Sequence, residues 1–153
     1  MTSLPALRKA SLSHAYVNEI LRLYPAGWWT SREVREPLEL GGRRFRKGDT
    51  IMVSPWQLHR DRRFWDDPDR LDLERDLRHD AYMPFGVGPR ACIGMSIAAV
   101  ELQLLTLQLA SAFTFTLPDD DGASLRPHPS VTLLFPPTRM QAVPRIDPAF
   151  RRQ

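Results

Sequence analysis

The chain has 153 residues, of which 42% are hydrophobic, 25% are charged and 14 are proline, a composition that fits one globular domain with its own core. The formal net charge of +3 is small and the arginines are mixed with aspartates, which argues against a nucleic-acid-binding protein. The single cysteine, Cys92, excludes an internal disulfide and a multi-cysteine zinc site.

No run of about 18 apolar residues is present, so we expect no transmembrane helix. Residues 1–10 lack the apolar core of a signal peptide. Together these features predict a cytoplasmic protein.

In chain order, the first predicted element is a helix from Ser11 to Tyr24, where apolar residues recur at helical spacing before Pro25. Residues 39–54 contain two glycine turns and a run, 50–54, that is typical of a buried strand, so we expect a hairpin or small sheet. Residues 55–84 show no sustained period and predict a long packed loop with at most one or two helical turns.

Residues 93–112 give the strongest helix prediction. Their apolar side chains cover nearly the whole circumference, so we expect this helix to be buried on most sides. After it, 113–117 begins a strand, 119–122 forms a turn, and 131–135 and 140–143 are candidate strands. The predicted fold class is therefore mainly α with small β-sheets (α+β), in a single unit spanning 1–153.

The sequence Pro-Phe-Gly-Val-Gly-Pro-Arg-Ala-Cys-Ile-Gly stands directly before this helix. Gly86 and Gly88 permit backbone angles that a β-carbon would forbid. Cys92 lies at the start of the helix, where the peptide dipoles favour a thiolate. The pattern predicts a tight loop that presents a sulfur ligand.

Three further residues suit a large flat ligand beside that sulfur. Arg90 can reach an anionic group, Phe85 can shield the sulfur from water, and Gly94 leaves room on the first helical turn. Two other interpretations remain open: a buried structural cysteine, or a catalytic cysteine nucleophile. The second requires a partner histidine, and none of the four histidines has such a motif context.

The full string F-G-x-G-x-R-x-C-x-G resembles the haem-binding signature of the cytochrome P450 family. The resemblance implies that the chain is the C-terminal haem-binding part of that fold. It also implies that the chain is similar to the soluble bacterial members of the family. It also implies that Cys92 ligates the iron of haem b and is the catalytic residue that tunes it. The cofactor-binding residues that it implies are Phe85, Gly86, Gly88, Arg90, Cys92, Gly94 and Arg32.

The first predicted helix resembles the family's ExxR helix through Glu19 and Arg22, which lie on one helix face. By itself such a pair is an ordinary surface ion pair. The segment 65–75 resembles the one that leads to the family's PERF motif, which assigns Arg75 as the third member of a buried structural triad. Leu73 replaces the motif's proline, and Arg70 is the alternative third member.

Arg32 matches the family position of a basic residue that binds a haem propionate, although a solvated arginine would also fit its charged surroundings. His59 and Arg60 are candidate propionate contacts, but packing of their loop is the favoured role. The resemblance places substrate near Trp28, Trp29 and Thr132. For the two tryptophans, core packing is the alternative role.

The resemblance implies a monooxygenase that inserts one oxygen atom from dioxygen into a small organic substrate. The two tryptophans would favour an apolar substrate. An acidic electron donor of the ferredoxin or flavodoxin type, or a reductase, would dock on an arginine-containing loop, for which a merely solvated charged loop is the alternative. The arginines in question are Arg60, Arg62, Arg63, Arg78 and Arg90. We expect the family's N-terminal distal portion to be absent from this chain. A truncated non-catalytic fragment and a haem-binding interaction module are therefore the alternative functions.

Overall fold

The computed structural model describes residues 11–117, 126–136 and 140–145. Within these ranges the helices are α1 (Ser11–Leu23), α2 (Pro55–Leu58) and α3 (Met95–Ala112). The strands are β1 (Thr30–Glu33), β2 (Leu38–Leu40), β3 (Arg43–Phe45), β4 (Thr50–Val53), β5 (Phe113–Thr116), β6 (His128–Pro129), β7 (Leu133–Leu134) and β8 (Gln141–Pro144). This mixture of helices and short strands confirms the predicted fold class. The turn predicted at 119–122 lies outside the described residues.

The strands pair antiparallel into four two-stranded sheets: β1 with β4, β2 with β3, β5 with β8, and β6 with β7. The β2–β3 hairpin turns at Gly41 and Gly42, whose φ angles of 57° and 73° match a two-residue turn that favours glycine. The β1–β4 register pairs Thr30 with Val53. This pairing brings the chain that follows α1 beside the chain that precedes α2.

Strand β4 forms where a strand was predicted, but the prediction that it is buried is wrong. Met52 is 63% exposed and Val53 is 37% exposed. A sheet of two strands buries little of either face, so the apolar composition of β4 does not lead to burial.

The core is small and is centred on α1. Val17, Leu21 and Leu23 of α1 are buried together with Trp65 and Met83 of the segment that follows α2. Burial of these residues holds the chain between α2 and α3 against α1, and that chain carries the predicted cysteine loop.

Residues 55–84 form the predicted packed loop, with α2 as its helical turn. The Ser54 hydroxyl accepts the Gln57 N–H at 3.3 Å and Pro55 is the first helical residue, which together start α2. The start of α2 therefore sets the direction of the chain that follows it.

Helix α3 begins at Met95, and the prediction that it is buried on most sides is wrong. Along this fully described helix Gln103 alone is buried, and its side chain bonds Ser13 Oγ of α1 at 3.0 Å. The apolar side chains around the rest of the helix are open, with Ile97 73% exposed. By length and composition α3 is long and apolar enough to cross a membrane, whereas the sequence led us to expect no helix of this kind. The core helices of soluble proteins meet the same criteria.

Candidate functional site

Glu19 and two arginines form a buried ion cluster between α1 and the long loop. Arg22 binds the Glu19 carboxylate twice, from Nε to Oε2 at 2.7 Å and from Nη2 to Oε1 at 2.8 Å. Arg75 Nε donates to the same Oε1 at 3.0 Å. Glu19 and Arg22 are both 0% exposed. Charges so far from water are tolerated because each is paired and hydrogen-bonded.

The remaining N–H groups of the two arginines bind backbone carbonyls of the loop. The acceptors are the carbonyls of His59, Pro68 and Arg70 for Arg22, and of Asp66, Asp67 and Arg70 for Arg75, at 2.6–3.3 Å. The structure thus brings together the three residues of the predicted triad. Arg70, the alternative member, is an exposed residue that contributes only its carbonyl.

The cysteine loop is shaped by two glycines in left-handed backbone conformations, Gly86 at φ 74° and Gly88 at φ 70°. The Gly86 N–H donates to the Met83 carbonyl at 3.0 Å, and the Cys92 N–H donates to the Phe85 carbonyl at 2.8 Å. These bonds fold the loop back on itself before α3 begins. Cys92 is therefore held by its own backbone while it remains exposed.

Gly94 caps the N-terminus of α3. A β-carbon at this position would lie 3.8 Å from Cys92 Sγ. Glycine therefore keeps one side of the sulfur free of any larger side chain.

A cleft of about 580 Å³ opens between the cysteine loop, the end of α1 and the β1–β4 sheet. Most of its lining is apolar or backbone. Its charged and sulfur-bearing residues include Arg32, Arg90 and Cys92. Among the predicted site residues it also contains Trp29, Phe85 and Gly86.

Four of the ten residues that the resemblance assigns to cofactor or substrate do not line this cleft. Gly88 and Gly94 act through the backbone of the loop that carries Cys92. Trp28 donates from Nε1 to the Ser130 carbonyl at 2.7 Å, and Thr132 is exposed. Trp28 therefore ties the chain just before β1 to the segment between β6 and β7, while Trp29 lies against the cleft.

Arg32 extends from β1 and is exposed. Its Nη1 donates to Thr30 Oγ1 at 3.0 Å and to the Ser31 carbonyl at 2.7 Å. Because these partners are neutral, the charge of Arg32 remains available to an anionic group in the cleft.

His59 and Arg60 pack within the protein and do not line the cleft. His59 is 0% exposed. Arg60 lies over the Trp56 ring, with its guanidinium carbon 3.5 Å from the ring centroid, and pairs with Asp69 at 3.1 Å. Of the two roles considered for them, the structure shows packing. No sequence signal marks the particular partners of His59, because they are backbone atoms distant in the chain.

The side chains that line the cleft indicate the kind of ligand that it can hold. A cysteine sulfur and two guanidiniums face an otherwise apolar space, which suits a flat metal-bearing macrocycle with acidic substituents. Within the described residues, no group of three or more His, Cys, Asp or Glu side chains could hold a bare metal ion. The residues of the cleft are thus compatible with a macrocycle whose metal would be ligated by a cysteine.

The family model for cytochrome P450 matches residues 3–143. The chain belongs to the cytochrome P450 family.

Two curated relatives illustrate the similarity. Cytochrome P450 3A27 of Oncorhynchus mykiss is 34% identical over 122 residues, which cover 75% of this chain and 24% of the relative. Cyclooctatin synthase of Streptomyces melanosporofaciens is 35% identical over 136 residues, which cover 84% of this chain and 29% of the relative. The chain thus spans about a quarter of the length of these proteins.

Solved structures agree. A zebra fish cytochrome P450 in complex with abiraterone superposes with a TM-score of 0.83 at 29% identity, over 93% of this chain and 34% of that one. The cyanobacterial CYP120A1 bound to retinoic acid superposes with a TM-score of 0.86 at 25% identity, over 95% of this chain and 35% of that one.

Proposed function

We propose that this chain forms the thiolate side of a haem-dependent monooxygenase, with Cys92 as the iron ligand. The observation that carries the proposal is the shared cleft, where Cys92, Arg32 and Arg90 meet on one otherwise apolar space. Each donor suits a different part of haem b: sulfur the iron, guanidinium the propionates, and apolar walls the ring.

Cys92 supplies the sulfur from a fixed backbone. Its N–H is held by the Phe85 carbonyl at 2.8 Å, and its carbonyl accepts the Met95 N–H at 3.3 Å. The sulfur is therefore presented at a constant position ahead of α3. Haem, when bound, supplies the oxygen chemistry, and a thiolate ligand favours O–O cleavage.

Arg32 and Arg90 approach the cleft from different elements, β1 and the turn at Gly88–Arg90. Guanidinium groups form charge-assisted hydrogen bonds with carboxylates, often in pairs. In this proposal the two arginines would bind the propionates and so hold the macrocycle in the cleft that contains Cys92.

The substrate of the complete protein is a small, mainly apolar organic molecule. Trp29 and Val53 give the cleft apolar surface beyond the cysteine loop, and Trp28 and Thr132 lie on the adjoining segments. We place substrate contacts on this side of the cleft.

The electron donor is an acidic protein of the ferredoxin or flavodoxin type, or a reductase. Three of the arginines considered for its docking are locally paired: Arg60 with Asp69, Arg63 with Asp61, and Arg78 with Asp76. Arg62 and Arg90 have no ion pair within the described residues. Because Arg90 already binds a propionate in this proposal, Arg62 is the cation that we assign to partner attraction, in a cytoplasmic setting.

A second candidate function, a haem-binding unit that does not oxygenate on its own, is favoured by α3. Its apolar side chains are exposed around most of the helix, so the chain by itself leaves a large apolar surface in water. Turnover of an apolar substrate with an added electron donor separates the two functions: an oxygenated product supports the monooxygenase.

The test of haem ligation uses the purified chain, loaded with haem, reduced and exposed to carbon monoxide. We expect an absorption maximum typical of thiolate ligation in the wild-type chain. Cys92→Ala should lose this band, while Ser96→Ala, close by on α3, should keep it. Circular dichroism checks that both variants are folded. A wild-type chain that retains no haem would contradict the proposal.

A further inference from the structure

His59 directly follows α2 and is completely buried, outside the cleft. Its Nδ1 lies 2.9 Å from the Arg22 carbonyl, and its Nε2 lies 2.9 Å from the Met83 N–H. A carbonyl only accepts and an amide N–H only donates, so the ring must be neutral with its proton on Nδ1. The imidazole therefore joins the backbone of α1 to the backbone at Met83.

Met83 is the start of a short hydrogen-bonded path to the sulfur ligand. The Met83 carbonyl accepts the Gly86 N–H at 3.0 Å, and the Phe85 carbonyl accepts the Cys92 N–H at 2.8 Å. If Met83 moved, the hydrogen-bonded turn at Gly86 would move with it, and so would Cys92.

Tyr82 adds a second tie at the same place. Its ring stacks on His59 with centroids 5.7 Å apart, and its hydroxyl donates to the Asn18 carbonyl of α1 at 3.1 Å. His59 and Tyr82 together bind two consecutive loop residues, 82 and 83, to α1.

We propose that His59 is a positioning residue for Cys92, which fixes the start of the cysteine loop to α1 and so sets the direction of the sulfur. This inference rests on the proposed function, because the same sulfur is the iron ligand there. The tie itself belongs to the polypeptide, so it is measurable without haem.

The first measurement is amide hydrogen exchange of the full chain without haem, read over residues 83–92 relative to α1. His59→Phe keeps a ring against Tyr82 but removes both hydrogen bonds. Only the bond to the Met83 N–H ends in this segment, so we expect exchange there to become about tenfold faster, as for one lost buried hydrogen bond. His59→Gln can restore part of the bonding, so its exchange rate over residues 83–92 should lie between those of the wild-type chain and His59→Phe. Val17→Ala, which opens the core on α1, should accelerate both segments in parallel.

The second measurement is the fraction of the thiolate-type band in the reduced, carbon monoxide-bound chain. It should fall in His59→Phe, fall less in His59→Gln and remain at the wild-type level in Val17→Ala. A lower fraction in Val17→Ala matching that in His59→Phe would indicate general destabilisation and overturn the proposal.

The two measurements separate the possible failures. If the wild-type chain shows no thiolate-type band, the proposed function fails, while hydrogen exchange still decides the role of His59. If His59→Phe does not fold, His59→Gln decides: faster exchange over 83–92 than in α1 supports the proposal. Unchanged relative exchange in the folded variants overturns it.

Discussion

Arg75 Nε lies 3.0 Å from Glu19 Oε1, although the two residues are 56 positions apart in the chain. This contact joins the long loop to α1 on the side that faces away from water. Because Arg22 binds the same carboxylate, one negative charge is shared by two guanidiniums. The Glu19 carboxylate is therefore the counter-charge of both guanidiniums.

We expect Glu19→Gln to destabilise the chain by about 3–5 kcal/mol, because it leaves two buried guanidiniums without a counter-charge. Urea denaturation followed by circular dichroism measures the change in the free energy of unfolding. Glu39→Gln is the matched control, since Glu39 forms an exposed pair with Arg44 at 3.7 Å. Similar losses in the two variants would contradict a special role for the buried carboxylate.

The stability of the chain should depend on pH through His59. The pKa of His59 is lowered from 6.5 to about 4, mainly by burial and in smaller part by the Arg22 and Arg60 guanidiniums. The carbonyl of Arg22 and the carboxylate of Glu19 act in the opposite direction. The unfolded chain thus takes up a proton near pH 6.5 that the folded chain takes up only near pH 4.

It follows that the His59 contribution is fully favourable above about pH 6.5 and is lost as the pH falls towards 4, by about 3 kcal/mol in total. Unfolding free energies measured between about pH 7.5 and 4.5 should show this slope, and His59→Phe should remove it. His14→Phe, at an exposed position of α1, should leave it unchanged. Asp76, whose pKa is lowered to about 2 by Arg78, titrates below this range.

The backbone of the cysteine loop should resist substitution at Gly88. Its φ of 70° is in the left-handed region, while a β-carbon added there would meet no atom of the described residues within 4 Å. Gly88→Ala should therefore destabilise the loop by about 1–2 kcal/mol through backbone strain alone. Gly27→Ala is the matched control, because Gly27 also has open space but no positive φ. Urea denaturation should distinguish the two variants.

The arginines of the cleft should control haem affinity. Arg32→Gln and Arg90→Gln should each weaken haem binding roughly tenfold, which corresponds to one lost charge-assisted hydrogen bond. Titration of the chain with haem, followed by absorbance, measures the affinity. Arg35→Gln removes an exposed charge outside the cleft and should bind haem as the wild-type chain does.

The exposed apolar surface of α3 should promote self-association of the isolated chain. Ile97 is 73% exposed, so Ile97→Glu should reduce association without loss of unfolding free energy. Gln108→Glu adds the same charge at an exposed polar position of the same helix and should have less effect. Light scattering over a range of protein concentrations compares them. Equal effects would show that charge, and not apolar surface, governs association.

Local patterns in the sequence predicted much of the fold. The periodicity of α1, the glycine turns and the proline after α1 determine structure within a few residues, and the structure has elements at those places. The resemblance of the cysteine segment to a known family allowed Arg32, Arg90 and Cys92 to be assigned to one site without any knowledge of their spatial proximity.

Burial and long-range backbone contacts could not be predicted in the same way. The composition of α3 indicates an apolar environment, but exposure depends on which neighbours are present, and α1 covers only the side near Gln103. The role of His59 depends on the Arg22 carbonyl and the Met83 N–H, which every non-proline residue possesses and no sequence pattern marks.

The buried arginines have a consequence for the variation that the chain can tolerate. The hydrogen bonds of Arg22 and Arg75 to the long loop all end at carbonyl oxygens, at positions 59, 66, 67, 68 and 70. A carbonyl is the same whichever side chain is attached, so these bonds place no chemical requirement on the residues at 66, 67 and 70. The side chains at 66 and 70 can therefore change while the path of the loop stays constant, whereas position 67 also has to accept a φ of 41°.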